Sequence, residues 1–385
     1  MKQILHISYY EMVHVFKDKI LLLLIFFVPL FYAFLCGVVY AQGILTGIPL
    51  AVVDMDNTSL SRKVIESFEN SPRFKIVKEI NTYALLEEGM KESVVRAGVV
   101  IPDNFEKNVA RHNGTEILTV YDGSNLIWGY NIRKNTLEVI NQVSTDQAAV
   151  YMAGLGLTER EITNILDTIS SNTEVWYNPT FSYANYMLFG LMMLVIHQIC
   201  LLCISLTVTR EKGNNSWIQF LSSPVPSWKI FLGKSLPYFL TSMFNFGLLI
   251  FIIVRIFQVK FEGFVLVIVL LGLLYTIVIT CAGFCISLKA KSSLQATRYI
   301  MLLSVPFLMI SGYTWPQTHI PGFLNALAGL LPFTWISEGI RVAAVKGLGF
   351  PYLIPVILAL FLMSAAAALL ASSFSKRRKP PLETP

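Results

Sequence analysis

The sequence contains a series of uncharged apolar runs, each about as long as a lipid bilayer is thick. A helix needs roughly 20 residues to cross the ~30 Å hydrocarbon layer. Five such runs predict membrane spans over residues 20–41, 182–209, 235–258, 263–288 and 347–375. Only 14% of the residues are charged, against about 25% in soluble domains. We therefore expect a polytopic α-helical membrane protein rather than a soluble globule.

A sixth apolar run is longer than one span and contains helix breakers. Residues 299–337 include no Asp, Glu, Lys or Arg, but Gly312, Pro316, Pro321 and Pro332 interrupt the run. We expect a short loop over 289–297, a span over 298–312, and then a broken, re-entrant helical segment over 313–346. Protein or a cavity must cover such a segment, because unpaired backbone is not tolerated in lipid.

Lys and Arg are concentrated on one side of the six predicted spans. The segments on the side of the two termini hold 14 of these residues, and the short loops on the opposite side hold 4. Cytoplasmic segments carry the excess of positive charge, so both termini are expected in the cytoplasm, with 376–385 as a tail. This distribution explains the net charge of +6 without a nucleic-acid partner.

The first 19 residues have an amphipathic pattern. Apolar residues recur at helical spacing, among them Leu5, Met12, Val13 and Phe16, with lysines near the ends. This pattern predicts a cytoplasmic interface helix over residues 1–19 that lies along the membrane lipids.

Residues 42–181 lie between the first two spans, so the predicted topology places them outside the cytoplasm. They contain 12 Lys or Arg and 18 Asp or Glu, a net charge of −6, and the segment is long enough to form a core of its own. Strand and helix patterns alternate, which predicts an inserted extracytoplasmic α/β domain with a helical stalk. The predicted strands are Ile48–Val53, Phe74–Ile80, Gly98–Ile101 and Ile117–Tyr121, with helices from Ser59 and Thr82 and a short helix capped by Asp103.

Two polar pairs within the predicted membrane region have alternative interpretations. His197 and Gln198 lie in the second span, where they would form interhelical hydrogen bonds or contact a substrate. Glu338 and Arg341 are three residues apart near the outer surface. They would form an ion pair or shape an outward exit, and both alternatives stay open for each pair.

Three short motifs resemble functional sites but fail on spacing or context. Asp54–Asn57 lacks the residues of a calcium-binding EF-hand and is typical of a turn that caps the next helix. Cys200 and Cys203 lie in an apolar span, where packing is favoured over a redox or metal pair. Gly233–Ser235 lacks the first glycine of a phosphate-binding loop, since Trp228 stands there.

The segment 210–234 connects the second and third predicted spans on the cytoplasmic side. Trp217, Phe220 and Leu221 form an apolar face, and Pro224 and Pro226 interrupt the chain after them. A short amphipathic helix hinged by prolines favours docking onto a cytoplasmic partner. Binding to the lipid surface is the alternative.

This segment resembles the permeases of ABC exporters of the ABC-2 type. The matching residues are Arg210, Glu211, Gly213, Leu221, Pro224, Gly233 and Lys234, while Asn214 replaces the usual Thr. The rest of the chain resembles the subgroup with a large extracytoplasmic domain between the first two spans. Its matching pieces are Val52–Asp54 with Asp56, Ser61–Arg62, Val100–Pro102 with Phe105, Asp122–Asn125, Asn178–Pro179, Ser311–Gly312, Trp315–Pro316, Ile320–Pro321, Leu331–Pro332 and Lys346–Gly347.

The resemblance implies a permease subunit in a bacterial inner membrane that forms half of a translocation pathway and is not itself an enzyme. Its partners would be a cytoplasmic ATP-binding subunit, which carries the ATP and Mg²⁺, and a second permease, identical or related. A periplasmic adaptor and membrane lipids are further partners. The residues expected to couple to the ATPase are Arg210, Glu211, Gly213, Trp217, Leu221 and Pro224; those expected along the pathway or exit are His197, Gln198, Trp315, Glu338 and Arg341.

A membrane-anchored receptor or adaptor-binding scaffold is the alternative function. Its outer domain would bind a ligand or a partner. Such a protein needs a cytoplasmic output domain, and the longest predicted cytoplasmic segment is the short stretch 210–234.

Overall fold

The computed structural model describes residues 1–41, 45–111, 113–166, 175–179 and 182–376. The predicted tail over 377–385 lies outside these residues. The helices are α1 (Lys2–Lys17), α2 (Lys19–Val39), α3 (Ser59–Glu69), α4 (Tyr83–Lys91), α5 (Phe105–Ala110), α6 (Leu126–Gly154), α7 (Glu159–Leu166), α8 (Tyr183–Gly213), α9 (Trp217–Ser222), α10 (Ser227–Arg255), α11 (Val265–Lys289), α12 (Ser293–Ile310), α13 (Gly322–Gly329), α14 (Pro332–Val345) and α15 (Phe350–Lys376). The strands are β1 (Ile48–Asp54), β2 (Phe74–Ile76), β3 (Ala97–Ile101) and β4 (Leu118–Tyr121).

The chain forms two compact units. One comprises residues 1–43 and 175–385, and the other comprises residues 44–174. Within the described residues, six helices are long and apolar enough to cross a membrane: α2, α8, α10, α11, α12 and α15. The predicted class, a polytopic helical membrane protein with an inserted α/β domain, is confirmed.

The ends of several membrane helices differ from the predicted bounds. Helix α8 continues past Arg210 to Gly213, α10 begins at Ser227 rather than at residue 235, and α12 begins at Ser293 rather than at residue 298. A span predicted from hydropathy ends at the first charged residue. The helix itself continues through charged residues that form ion pairs or hydrogen bonds. The predicted 210–234 loop is therefore shorter than expected, and Arg210 and Lys234 are helical residues.

Asp18 separates the first two helices. Its backbone is extended, and its Oδ1 accepts hydrogen bonds from the N–H groups of Ile20 and Leu21. An Asp at this position satisfies N–H groups that have no partner within the new helix. Helix α1 is therefore a separate amphipathic element and does not continue into the first span.

Helix α2 contains a proline that leaves a carbonyl without its helical partner. Pro29 has no N–H to donate to the carbonyl oxygen of Ile25, four residues earlier. Asn245 of α10 supplies the missing donor, with its Nδ2 2.8 Å from that oxygen. Because lipid offers no such donor, this bond fixes α2 against α10.

The region 313–346 is a broken helical pair, as the glycine and proline pattern predicts. Helices α13 and α14 meet at 85°. At the bend, Trp335 Nε1 donates to the carbonyl oxygen of Gly329 at 2.8 Å. The bond satisfies a carbonyl at the end of α13, so the break does not leave it unpaired.

The inserted unit is built on a four-stranded sheet in the order β2-β1-β3-β4. Strand β1 is parallel to β2 and to β3, with Val52 opposite Val99, and β4 runs antiparallel to β3. Side chains of a strand alternate between the two faces. One face therefore buries Leu50 and Val52 against α3, α5 and α6, and the other buries Ala51 and Val53 against Leu86 of α4.

Asp54–Asn57 forms a turn after β1, as predicted, but the residue that caps the next helix, α3, is Thr58, just after it. Asp54 Oδ1 accepts hydrogen bonds from the N–H groups of Asp56 and Asn57. The expectation that Asp103 caps the short helix α5 is wrong. Asp56 accepts from the first two N–H groups of α5 instead, those of Phe105 and Glu106. A hydrogen bond from the Thr58 hydroxyl and these backbone bonds lower the pKa of Asp56. The capping residue lies on a neighbouring turn, so local sequence does not reveal it. The predicted strand 74–80 is also shorter and ends at Ile76.

Candidate functional site

A buried ion cluster lies where α1, α8 and α10 meet. Its centre is Glu11 of α1, whose side chain is 4% exposed. Glu11 Oε1 accepts hydrogen bonds from Thr207 Oγ1 at 2.6 Å, from Arg210 Nη2 at 2.9 Å and from Tyr238 Oη at 2.9 Å. Glu11 Oε2 accepts from Lys234 Nζ at 3.0 Å. One carboxylate therefore joins three helices from distant parts of the chain.

Lys234 lies between two carboxylates. Its side chain is 1% exposed, and its Nζ is 3.0 Å from Glu11 Oε2 and 2.9 Å from Glu211 Oε1. The Nζ also lies over the Phe220 ring, 4.7 Å from the centroid. A buried ammonium needs partners in each direction that water would otherwise occupy. The two carboxylates and the aromatic face provide them.

The surrounding cations keep Glu11 ionised. Burial alone would raise the pKa of Glu11, but the charges of Lys234 and Arg210 and the hydrogen bond from Thr207 outweigh burial. The result is a pKa of about 2, compared with an ordinary value of 4.5. Glu11 is thus an anion throughout the physiological pH range.

Helix α1 lies close to α10 because of a glycine. A Cβ atom on Gly233 would lie 2.7 Å from the Ile7 Cβ and 3.2 Å from the Ile4 carbonyl oxygen. A side chain at this position would push the two helices apart. Gly233 and Lys234, both part of the ABC-2 pattern, therefore have different roles. Gly233 allows α1 to approach α10 closely, and Lys234 forms an ion pair with Glu11 of α1.

The end of α8 is also fixed to the end of α11. Lys212 Nζ lies 2.7–2.9 Å from the carbonyl oxygens of Ser287, Leu288 and Ala290. The last carbonyls of a helix lack helical partners and carry partial negative charge, so a lysine stabilises them. A displacement of the end of α8 would therefore act on α11 as well as on α10.

The short helix α9 follows directly and has an inner and an outer face. Trp217 is buried with apolar residues of the membrane unit, and Leu221 is half-buried. Ile218 is 59% exposed, and Gly213 and Pro224, which flank α9 in the sequence, are also exposed. Of the six residues expected to couple to an ATPase, Arg210 and Glu211 belong to the ion cluster, Trp217 and Leu221 anchor α9, and the other two lie on the surface.

Glu11 is not among the site residues that the sequence pattern predicts. Among the apolar residues of the amphipathic pattern of α1, Leu5, Tyr9 and Phe16 are more than half exposed, and Met12 and Val13 are half-buried. The buried residues of α1 are Ser8, Glu11 and Val15. Glu11 lies three residues after Ser8 and four before Val15, so the three share one helical face. This spacing was the sequence signal for an inward-facing carboxylate.

His197 makes the interhelical hydrogen bond considered for it. Its Nδ1 lies 2.7 Å from Tyr275 Oη of α11, and its ring packs edge-on against Phe333 of α14. His197 is 4% exposed, and Gln198 beside it is half-buried. The geometry accounts for His197 as a link between α8, α11 and α14.

Glu338 and Arg341 form an ion pair, one of the two alternatives considered for them, with Arg341 Nη1 3.5 Å from Glu338 Oε2. Arg341 has stronger partners as well. Its Nη2 donates to the carbonyl oxygens of Gly312 at 3.1 Å and Tyr313 at 3.0 Å, and its guanidinium lies over the Tyr313 ring. Arg341 therefore holds the turn after α12 against α14. Trp315, in the same turn region, is 57% exposed.

Tyr313 joins that turn to α8. Its hydroxyl accepts from the N–H of Gly190 at 2.9 Å and donates to the carbonyl oxygen of Tyr186. The Tyr186 hydroxyl donates in return to the Tyr313 carbonyl oxygen at 2.8 Å. A Cβ on Gly190 would collide with the Tyr313 ring at 2.0 Å, so only glycine permits this contact.

The described ranges contain no group of three or more His, Cys, Asp and Glu residues placed to hold a metal ion. All five cysteines are free thiols, and Cys200 lies 3.8 Å from Thr280 Oγ1 as a packed side chain.

The fold and the cluster define a multi-pass membrane protein in which buried charges join α1 to the membrane helices α8 and α10. The sequence profile described as "ABC-2 family transporter protein" matches residues 19–373. The chain therefore belongs to the ABC-2 transporter family, and the predicted family is confirmed.

Several relatives extend over most of the chain. The inner membrane transport permease YhhJ of Escherichia coli is 24% identical over 370 residues, 95% of each chain. The probable multidrug ABC transporter permease YbhR of Escherichia coli is 21% identical over 76% of each chain. The linearmycin resistance permease protein LnrN of Bacillus subtilis is 22% identical over 90% of this chain and 92% of its own. These similarities support a permease in the inner membrane.

Proposed function

We propose that this protein is the permease subunit of an ATP-driven exporter and forms half of its translocation pathway. A separate cytoplasmic subunit would bind and hydrolyse ATP, and a second permease would complete the pathway. The relatives named as multidrug and linearmycin resistance permeases support export of small molecules as the activity. The charge distribution supports an orientation with both termini and the residues around α9 in the cytoplasm.

The observation that carries the proposal is the position of the ion cluster directly behind α9. The exposed face of α9 around Ile218 offers an apolar contact to a partner. Glu211 accepts from Ser216, just before α9, and pairs with Lys234 of α10. A push on α9 by the ATP-binding subunit would therefore reach α8, α10 and α1 together, because the cluster joins them.

The ion cluster suits force transmission better than apolar packing alone would. Apolar contacts have little directionality, whereas a buried carboxylate with several charged and polar partners fixes relative position. In the proposed cycle, α8 and α10 tilt as one body when the ATP-binding subunits close. The Lys212 contact extends the movement to α11. The pathway then opens to the side of the inserted domain.

The test is to purify the tagged permease with the ATP-binding subunit that accompanies it and to measure ATP hydrolysis in nanodiscs. We expect Ile218→Asp to reduce permease-dependent ATPase stimulation about tenfold, the factor that a loss of about 1.4 kcal/mol of contact energy gives. The unfolding midpoint should not change, because Ile218 is exposed.

The matched control is Ile256→Asp, at the opposite end of α10, where the side chain is 49% exposed. It should leave ATPase stimulation unchanged. Absence of any co-purifying ATP-binding subunit would overturn the proposal. Equal stimulation in wild type and Ile218→Asp would overturn the assignment of α9 as the contact.

A further inference from the structure

The inserted unit contains a cavity that the proposed coupling function does not use. It has a volume of about 500 Å³ and lies between α3, α5, α6 and the chain leading into β4. Leu60, Phe105 and Val143 are buried at its lining. Its volume is within the roughly 300–1,000 Å³ typical of small-molecule sites.

One side of the cavity is a continuous face of α6. Ile140, Val143, Ser144, Gln147 and Tyr151 all line it, and they recur at spacings of three and four residues. Such spacing places side chains on one helical face. The site is thus formed by regular structure of a single unit, with α3 and α5 opposite, and does not depend on contact with the membrane unit.

The described residues that line the cavity include no charged side chain. They are apolar except for Thr115, Ser144, Gln147 and the hydroxyl of Tyr151. The inserted segment as a whole has 12 basic and 18 acidic residues, so an uncharged lining of this size contrasts with the rest of the unit. A charged ligand would lose its hydration there without gaining an ionic partner.

We propose that this cavity binds an uncharged, largely apolar small molecule, with the hydroxyls of Thr115 and Ser144 and the amide of Gln147 orienting a polar group. The cavity buries apolar surface of such a ligand, which drives binding in water at roughly 25 cal/mol per Å². The proposal gives the inserted domain a ligand-holding role that is separate from coupling to the ATP-binding subunit.

The test uses the full-length permease in nanodiscs and two photoactivatable probes. The first is a diazirine-bearing octanol, which is uncharged, and the second is the carboxylic acid of the same skeleton. After illumination, mass spectrometry measures labelling of the peptide that contains residues 140–151. We expect saturable labelling by the alcohol and about tenfold less by the carboxylate, which corresponds to about 1.4 kcal/mol.

The site-specific variant is Ala148→Trp, which places an indole in the cavity, since Ala148 lines it. The matched control is Ala149→Trp, at the next residue of the same helix, which is also half-buried but does not line the cavity. Ala148→Trp should reduce labelling about tenfold, and Ala149→Trp should not. An unchanged unfolding midpoint in both variants shows that the unit is folded.

Three results would overturn the proposal. The first is equal labelling of wild type and Ala148→Trp, and the second is equal labelling by the carboxylate and the alcohol. The third is a disulfide-linked dimer of Ser144→Cys, since a second copy would then occupy the cavity. Residues 42–181 contain no cysteine, so a new disulfide there is readily assigned. None of these readouts depends on ATP hydrolysis, so failure here leaves the coupling proposal standing.

Discussion

Lys234 and Glu11 form an ion pair between residues that lie 223 positions apart in the sequence. Their atoms are 3.0 Å apart, and their side chains are 1% and 4% exposed. Surface ion pairs add little to stability, but removal of one partner of a buried pair strongly destabilises a protein. An unpaired charge would then remain in a poorly solvated site.

Glu11→Gln should destabilise the protein by about 3–5 kcal/mol, the usual cost of breaking a buried ion pair. The variant leaves Glu211 as the carboxylate partner for both Arg210 and Lys234. The unfolding midpoint of purified protein in detergent measures the effect. Glu262→Gln is the control, because Glu262 forms an exposed pair with Lys260 and should lower stability by no more than about 1 kcal/mol. Equal midpoints for the two variants would contradict the assignment of Glu11 as the centre of the cluster.

The stability that Glu11 contributes should depend on pH in a defined window. Its pKa is about 2 in the folded protein against an ordinary value of 4.5. A carboxyl whose pKa is lowered by folding stabilises the native state above its unfolded pKa, and this contribution falls as pH drops towards the folded value. The difference in unfolding free energy between wild type and Glu11→Gln should be constant above about pH 5 and shrink below 4.5. A difference that grows on acidification would show that Glu11 is not held as an anion.

Gly233→Ala should separate α1 from α10 and weaken the cluster. The added Cβ meets Ile7 and the backbone at Ile4, and such overpacking typically costs about 1–3 kcal/mol. Gly247→Ala in the same helix is the control, because nothing lies within 4 Å of its Cβ position. There, the better helix propensity of alanine should stabilise by up to about 1 kcal/mol. The comparison of the two unfolding midpoints tests the close approach, and equal midpoints would argue against it.

Tyr313→Phe should loosen the turn between α12 and α13. The change removes a hydroxyl that binds the backbone of both Gly190 and Tyr186, at an expected cost of about 1–3 kcal/mol. Hydrogen exchange of the amides near the amino end of α8 measures the local effect and should accelerate. Tyr352→Phe removes the hydroxyl of a tyrosine that is 66% exposed and should leave exchange there unchanged. Unaltered hydrogen exchange in Tyr313→Phe would show that this hydroxyl does not stabilise the turn.

The membrane part of the fold could be predicted because hydropathy alone specifies it. Helices that cross lipid need long apolar runs, so the six spans and the break after α12 are visible in the sequence. The strands β1 and β3 are visible for a similar reason, since buried parallel strands are nearly continuous in apolar residues. The ends of α8 and α10 could not be predicted, because Arg210, Lys212 and Lys234 look like the edges of spans.

The candidate site was found only in part. The motif residues Arg210, Glu211 and Lys234 could be placed near the start and end of one segment, and the structure brings them together. Glu11 could not be assigned to them, because its partners lie about two hundred residues later and no local pattern connects them. The capping of α5 by Asp56 could not be predicted for the same reason. In both cases a tertiary contact supplies what a local pattern would normally provide.

The separation of Glu11 from its partners also has a consequence for biosynthesis. At ~5–20 residues per second, the ribosome needs roughly 10–45 s to add the 223 residues between Glu11 and Lys234. During that time α1 has been synthesised, but the lysine that binds Glu11 has not. The ion cluster that fixes α1 can therefore form only after the start of α10 has been made.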